Sequence, residues 1–188
     1  MLNIMQKSTG IELLQMGELI HLIPIADVCF GTGYFKLYQF TRFLSEGSLG
    51  LIYRVDEKVV GYCLATVFEK TGDCKEAYVS EIKEITYPLG LIKNIAVLPE
   101  YQNNGIGNRL LDAVIHKLNF KFGCKILHYP AWTESKNYEF TKKLRRLGFT
   151  VQGVFPDYWA KDSLEKNYHC QRCGTPPCSC SLTLFVKN

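Results

Sequence analysis

No stretch of this sequence approaches the roughly 20 consecutive apolar residues that a membrane-spanning helix needs. The N-terminal region is apolar in places, but Gln6, Glu12, Gln15 and Glu18 interrupt it. It has neither the basic start nor the unbroken apolar core of a secretory signal. A soluble, cytoplasmic protein without membrane contact is therefore expected. Internal repeats, low-complexity tracts and a dividing linker are also missing, so the 188 residues read as one domain spanning 1–188. A large charge excess is absent too: the net charge of +4 allows an anionic cofactor and does not call for nucleic acid. What is present is a globular balance, with 47% hydrophobic and 21% charged residues, enough to bury a core without covalent staples.

The eight cysteines are unevenly placed. Cys29, Cys63, Cys74 and Cys124 are scattered, whereas Cys170, Cys173, Cys178 and Cys180 fall within a Gly/Pro-rich loop at 168–180. With no export signal, a disulfide framework is the weaker reading of that cluster and a metal site the stronger one.

Gly17 to Ile23 reads as a first strand. Residues 26–45 are apolar and aromatic with a rough helical period, broken by Gly31 and Gly33. Ser48–Val55 and Val59–Phe68 read as a hairpin, and the polar, acidic residues 71–88 as a loop. Leu89–Leu98 is a short apolar run that Pro99 ends. From Gly107 the period changes: Leu110, Leu111, Val114, Ile115, Leu118 and Phe122 form one helical stripe. Lys125–Trp132 reads as a strand, residues 135–147 as an amphipathic helix, and Phe149–Phe155 and Ser181–Val186 as the last two strands. This order predicts an α/β domain around a mixed sheet.

The most informative segment runs from Ile95 to Leu111. A buried strand ends, a polar turn follows, then Gly105 and Gly107, then a helix. Glycines there permit a tight turn and close backbone approach of a ligand. The first helical N–H groups lack intrahelical partners and lie at the positive end of the dipole, so they make an anion site suited to a pyrophosphate. The Gly-Lys-Ser/Thr ending of a Walker A loop is absent, because Asn108 and Arg109 follow Gly107. The third glycine of a dinucleotide fingerprint is absent as well, because position 110 is Leu.

What remains, Gln102-x-x-Gly105-x-Gly107 after Val97-x-Pro99-Glu100-Tyr101, resembles the acetyl-CoA loop of the GNAT superfamily of N-acetyltransferases. A second element supports the likeness: Asn137 opens a helix that ends in Leu147-Gly148-Phe149. The resemblance covers most of the chain and is strongest over 91–149. It implies a mostly antiparallel mixed sheet with splayed central strands, flanked by helices. It implies that acetyl-CoA lies along Ile95, Ala96 and Val97, with its pyrophosphate on the backbone of Gln102, Asn103, Asn104, Gly105, Ile106, Gly107 and Asn108. Asn137 would bond the pantetheine, and the Val97 N–H would stabilise the oxyanion, an effect of up to about 3–4 kcal/mol for a well-placed donor. A primary amine, of a small molecule or a protein, would attack the thioester directly in a ternary complex.

The sequence departs from the family at two places. The helix often carries a Tyr seven residues after the Asn, where this chain has Leu144, and Tyr138 would face elsewhere on that helix. A Glu is often found at the position of Lys93. Glu81, Glu84 and His128 are the remaining candidates for the base. These departures motivate an alternative, a non-catalytic acetyl-CoA sensor. Dimers are common in families of this kind, so a homodimer stands among the expected assemblies.

In the loop Cys170-x-x-Cys173-Gly174 and Cys178-x-Cys180, the first half has the spacing of a zinc knuckle. Four thiolates suit a closed, structural Zn2+ site. In the resembling family this connection borders the acceptor side of the cleft, which makes Phe155, Tyr158 and Trp159 candidates to line the acceptor pocket. Lys166 and Arg172 are the basic groups of residues 165–180, too few for a phosphate-tracking surface.

Overall fold

The computed structural model describes residues 9–70, 72–74, 76, 78–79, 85–133 and 138–188. Seven strands form one mixed sheet: β1 (Gly10–Leu13), β2 (Ser48–Val55), β3 (Lys58–Phe68), β4 (Leu89–Val97), β5 (Ile126–Thr133), β6 (Thr150–Phe155) and β7 (Ser181–Lys187). Their spatial order is β1-β2-β3-β4-β5-β7-β6. All neighbours are antiparallel except β4 and β5, which are parallel. Among the described residues, five α-helices flank the sheet: α1 (Leu19–Phe30), α2 (Leu37–Phe40), α3 (Ile106–Phe120), α4 (Tyr138–Arg146) and α5 (Ala160–Lys166).

Two cores sandwich the sheet. On one face the expected stripe of α3 is realised, with Leu110, Leu111, Val114 and Leu118 fully buried against Leu51, Val60, Cys63 and Ile92. Each such aliphatic side chain contributes about 1.5–3 kcal/mol of transfer free energy. On the other face α1 buries Leu19, Leu22, Ile25 and Ala26 against Ile52, Tyr62, Leu64 and Ala96. The expected strand at Gly17–Ile23 is thus a 3-10 turn (Met16–Glu18) running into α1, and the first strand lies earlier, at Gly10–Leu13. Pro24 inside α1 forgoes one helical hydrogen bond. The stripe buried by α1 outweighs that local signal. A further helix, α5, was not expected from the polar run that forms it.

The feature that positions everything else is the join between β4 and β5. Their parallel pairing covers only Leu89↔Ile126, Gly90↔Leu127 and Leu91↔His128. Immediately afterwards β4 bulges. Leu64 pairs with Asn94 and Ala65 with Ile92, which leaves Lys93 as the extra residue. Beyond it β4 continues with β3 and β5 with β7, so the two strands diverge and the sheet opens.

The helix α4 ends in a Schellman turn. The Gly148 N–H bonds to the Arg145 carbonyl and the Phe149 N–H to that of Leu144 (both 3.0 Å), with Gly148 at φ 86°. This sends Phe149 and Leu144 into the core together.

At the end of α1, Gly31 has φ 126°, and a Cβ there would stand 1.8 Å from the His169 carbonyl oxygen. The break near Gly31 therefore seats the C-terminal loop against α1. Gly31→Ala is expected to cost about 2–3 kcal/mol, since neither backbone can yield without separating the two segments. Urea unfolding of the variant beside the native protein measures this.

Candidate active site

The open side of β4 beyond Leu91 pairs with no described strand. The Leu98 N–H bonds to the Val60 carbonyl at 2.9 Å. Strand alternation then turns the Val97 and Ile95 groups to the opposite edge, toward the gap. Consistent with this, the Val97 carbonyl is taken by side chains, the Gln102 amide at 2.8 Å and the Cys29 thiol at 3.4 Å.

The loop after β4 is stapled from within. The Asn104 amide donates to the Gln102 carbonyl (3.2 Å), and the Arg109 guanidinium donates to the Asn104 carbonyl (3.1 Å) while lying over the Tyr53 ring. Asn103 (φ 62°) and Gly105 (φ 76°) adopt the left-handed conformation, which folds successive N–H groups inward. The first intrahelical bond is Arg109 N–H to the Gly105 carbonyl, so the N–H groups of Ile106, Gly107 and Asn108 remain unpaired within α3.

These parts line a broad cleft, open to solvent. Of the expected cofactor residues, Ile95, Ala96, Val97, Gln102, Asn103, Gly107 and Asn108 line it. Asn104 and Gly105 shape the loop from behind, and Ile106 is buried in the core. The cleft also holds cations that pattern reading did not assign to it: Lys143 and Arg146 from α4, and Arg172 from the cysteine loop. Their sequence signal was legible as the basic end of α4 but was read as complementing the helix dipole. A Cβ on Gly107 would sit 3.9 Å from Lys143 Nζ, so this ammonium stands beside the α3 N-terminus. Burial pushes the Lys143 ammonium below the usual lysine value, with Asp112 acting the other way.

On the other side of the gap lies a second, much narrower pocket. Its walls are largely aromatic: Phe30, Tyr34, Tyr129, Trp132, Trp159 and Tyr168, with Lys93, Asn94 and two of the clustered cysteines, Cys170 and Cys178. Phe30, Ile95, Tyr129 and Trp132 line both cavities, so the two meet there. Trp159, expected at such a pocket, is in this wall. Tyr158 instead lines an outer groove that shares Tyr34, Lys93 and Trp159 with the chamber, while Phe155 packs with the core under β7. Two polar atoms of chamber residues, Asn94 Oδ1 and Trp159 Nε1, are buried and have no protein partner among the described residues.

The titratable candidates separate clearly. Glu81, Glu84 and Asn137 lie outside the described residues, as do the side-chain surroundings of Tyr138. His128 is buried on β5, lines none of these cavities, and faces the Tyr78 ring at 5.9 Å. Desolvation lowers its pKa to about 4. Leu144 is fully buried, and Lys93 forms an ion pair with Glu76. That pairing brings Glu76, read only as part of an acidic loop, to the outer groove. The Tyr129 phenol, at the meeting of the cavities, is pushed up by desolvation and stays protonated. Its position there was invisible in a strand read simply as apolar.

The four clustered thiols lie within 4.8 Å of one another. All are free cysteines.

A sheet opened between parallel neighbours, with an anion-binding loop at its mouth, defines the acetyl-transfer class of mixed α/β domains. The model of the acetyltransferase (GNAT) family matches residues 19–149, and the chain belongs to that family. No curated protein matches it in sequence. In structure it is similar to the ribosomal-protein-alanine N-acetyltransferase of Brucella melitensis (TM-score 0.62, 16% identity, 94% of this chain and 98% of that one). It is similar also to Arabidopsis thaliana NAA60 in complex with a bisubstrate analogue (TM-score 0.69, 15% identity, 96% and 98%). A chain of the NatC complex bound to Gag peptide and CoA gives a TM-score of 0.66 at 13% identity, over 94% and 96%. No described helix is long and apolar enough to cross a membrane.

The His128 shift carries a stability prediction. Its folded pKa of about 4 lies below the ordinary 6.5. The unfolded chain therefore binds a proton that the folded chain does not, and stability falls as pH drops from 6.5 toward 4. The loss from this one group reaches at most about 3 kcal/mol. His128→Leu should flatten that part of the profile, as read by urea unfolding at pH 7 and pH 4.5.

Proposed function

We propose that this protein is an N-acetyltransferase that moves an acetyl group from acetyl-CoA to a primary amine. The observation that carries the proposal is the gap beyond Leu91 and His128, where the main chain of Ile95 and Val97 lacks a neighbouring strand. A pantetheine arm laid there supplies the missing partner. The pyrophosphate is then received by the N–H groups of Gln102 to Asn108 and the α3 dipole, with Lys143 and Arg146 adding charge-assisted contacts. Asn137 belongs to the same reading as a pantetheine contact.

The acceptor enters through the outer groove and the aromatic chamber and meets the thioester near Ile95 and Tyr129. Neutral amine attacks the carbonyl carbon, the Val97 N–H stabilises the oxyanion, and the carbon–sulfur bond breaks to release CoA thiolate. Tyr129, kept protonated by burial, hydrogen-bonds to that thiolate in place of the tyrosine the family often has where Leu144 stands, and the departing thiolate takes its proton from solvent. The ammonium proton leaves toward the acceptor side, where Glu76 lines the groove. Glu81 and Glu84 keep the same candidacy, while a base at His128 is disfavoured by its burial away from the cavities. A structural Zn2+ on Cys170, Cys173, Cys178 and Cys180 belongs to the reading as a brace, with no step of the transfer passing through it. Two of the structurally similar proteins are a ribosomal-protein-alanine N-acetyltransferase and a complex bound to Gag peptide and CoA, which supports a peptide or protein amine as the acceptor. A cofactor cleft that runs into an acceptor chamber favours transfer over a purely sensing role.

Calorimetric titration with acetyl-CoA tests the cofactor. Gly107→Leu is the control, since its backbone is unstrained and a Cβ there makes ordinary contacts, while a longer side chain fills the cleft above Val97. Micromolar binding by the native protein, weakened about tenfold or more in the variant, is expected. Absence of binding by the folded native protein would sink the proposal. With a peptide-amine panel as acceptors, Tyr129→Phe should lower kcat by roughly tenfold to a hundredfold with little change in KM for acetyl-CoA. An unchanged kcat removes Tyr129 from the mechanism.

A further inference from the structure

Resting on the acetyltransferase reading, we propose that Cys170, Cys173, Cys178 and Cys180 hold one Zn2+ ion, and that this ion fixes the wall of the acceptor chamber. Acceptor binding then depends on the metal, and acetyl-CoA binding does not.

The four sulfurs lie within 4.8 Å of one another, close enough to share one tetrahedral ion. For zinc–sulfur bonds of about 2.3 Å, tetrahedral ligands stand about 3.8 Å apart. Here Cys170 and Cys180 are separated by 3.9 Å, Cys173 and Cys178 by 3.7 Å, and Cys173 and Cys180 by 3.1 Å. None approaches the roughly 2.0 Å of a disulfide. The knuckle is also built to carry thiolate charge. The N–H groups of Arg172 and Cys173 both point at Cys170 Sγ (3.4 and 3.5 Å), and Cys170 and Gly174 exchange two backbone bonds that close the turn. Four thiolates around Zn2+ leave a net charge of −2, and Arg172 lies within the same turn. The 13 residues from Tyr168 to Cys180 contain few large apolar side chains, so ordering them needs a source of free energy beyond burial.

The same loop is tied to each wall of the chamber. The His169 N–H bonds to the Thr32 carbonyl (3.2 Å), and the Gln171 amide to that of Asp27 (3.1 Å), which fixes the end of α1. The Cys178 N–H bonds to Ser163 Oγ at 2.8 Å, fixing α5. The Arg172 guanidinium lies over the Trp132 ring of β5 at 5.9 Å, and Tyr168 meets Tyr34 edge-on at 5.1 Å. Cys170 and Cys178 themselves line the chamber. The acetyl-CoA cleft, by contrast, takes its loop from β4 and α3, and only Arg172 reaches it from the cysteine loop.

The chain's two tryptophans, Trp132 and Trp159, both line the chamber, and Trp159 does not line the cofactor cleft. In a Trp132→Phe background the remaining emission reports on the chamber and the adjoining outer groove, and not on the cofactor cleft. The experiment measures zinc per chain by native mass spectrometry, acrylamide quenching of Trp159 and the calorimetric Kd for acetyl-CoA. Each is read before chelation, after chelation and after Zn2+ is restored. Expected are one zinc per chain, quenching that rises roughly twofold or more on removal and returns on addition, and an acetyl-CoA Kd unchanged within about threefold. Cobalt substitution should give the intense visible absorption of a tetrahedral thiolate site, lost in Cys173→Ser. Disulfides in place of zinc, or quenching indifferent to the metal, would overturn the inference. So would an acetyl-CoA affinity that collapses with the metal. Failure of the zinc-loaded protein to bind acetyl-CoA would overturn the acetyltransferase reading instead, leaving the metal count to stand by itself.

Discussion

The short parallel ladder between β4 and β5 is the constraint on which the rest of this structure depends. Three residue pairs hold the two halves of the sheet together, and the bulge at Lys93 then turns β4 away. Had the ladder continued, Ile95 and Val97 would spend their backbone groups on β5 and no cofactor strand could be added. Because it stops, the domain carries an open edge in its middle. The α3 N-terminus closes that gap at one end, and the cysteine loop and the end of α1 close it at the other.

Polar accounting explains why the gap does not collapse. Side chains from Gln102 and Cys29 already satisfy the Val97 carbonyl, which leaves the neighbouring N–H available. Asn94 Oδ1 and Trp159 Nε1 are buried without a protein partner among the described residues, a cost that water or a bound polar group would offset. The charged groups nearby are mostly paired: Lys93 with Glu76, Lys166 with Asp162. Such pairs hold the rim in place more than they add to stability. The chamber is thus apolar in its walls and specific in a few atoms, the usual composition of a small-ligand site.

Pattern reading went furthest where the chemistry is local. The turn at Gln102–Gly107 was legible because backbone conformation, helix dipole and ligand approach are all set within a few residues, and Gly105 at φ 76° meets that expectation. The stripe of α3 was legible for the same reason. The four cysteines were grouped correctly because they are close in sequence. Reading failed at Gly17–Ile23, where local alternation suggested a strand and the packing of Leu19, Leu22, Ile25 and Ala26 made a helix. It also read the basic end of α4 only as a helix terminus, because nothing in that segment shows that it stands against Gly107.

The sequence by itself determined the glycine turn that opens α3, the fold family and the thiol cluster, since each is written in neighbouring residues whose conformational preferences are intrinsic. Only the tertiary structure decided what faces what. It brought Glu76 to Lys93, Tyr129 to the meeting of two cavities, Lys143 to the α3 N-terminus and the cysteine loop to the chamber wall. Those juxtapositions come from sheet order and from where one ladder stops, and residues far apart in a chain carry no local signal of either.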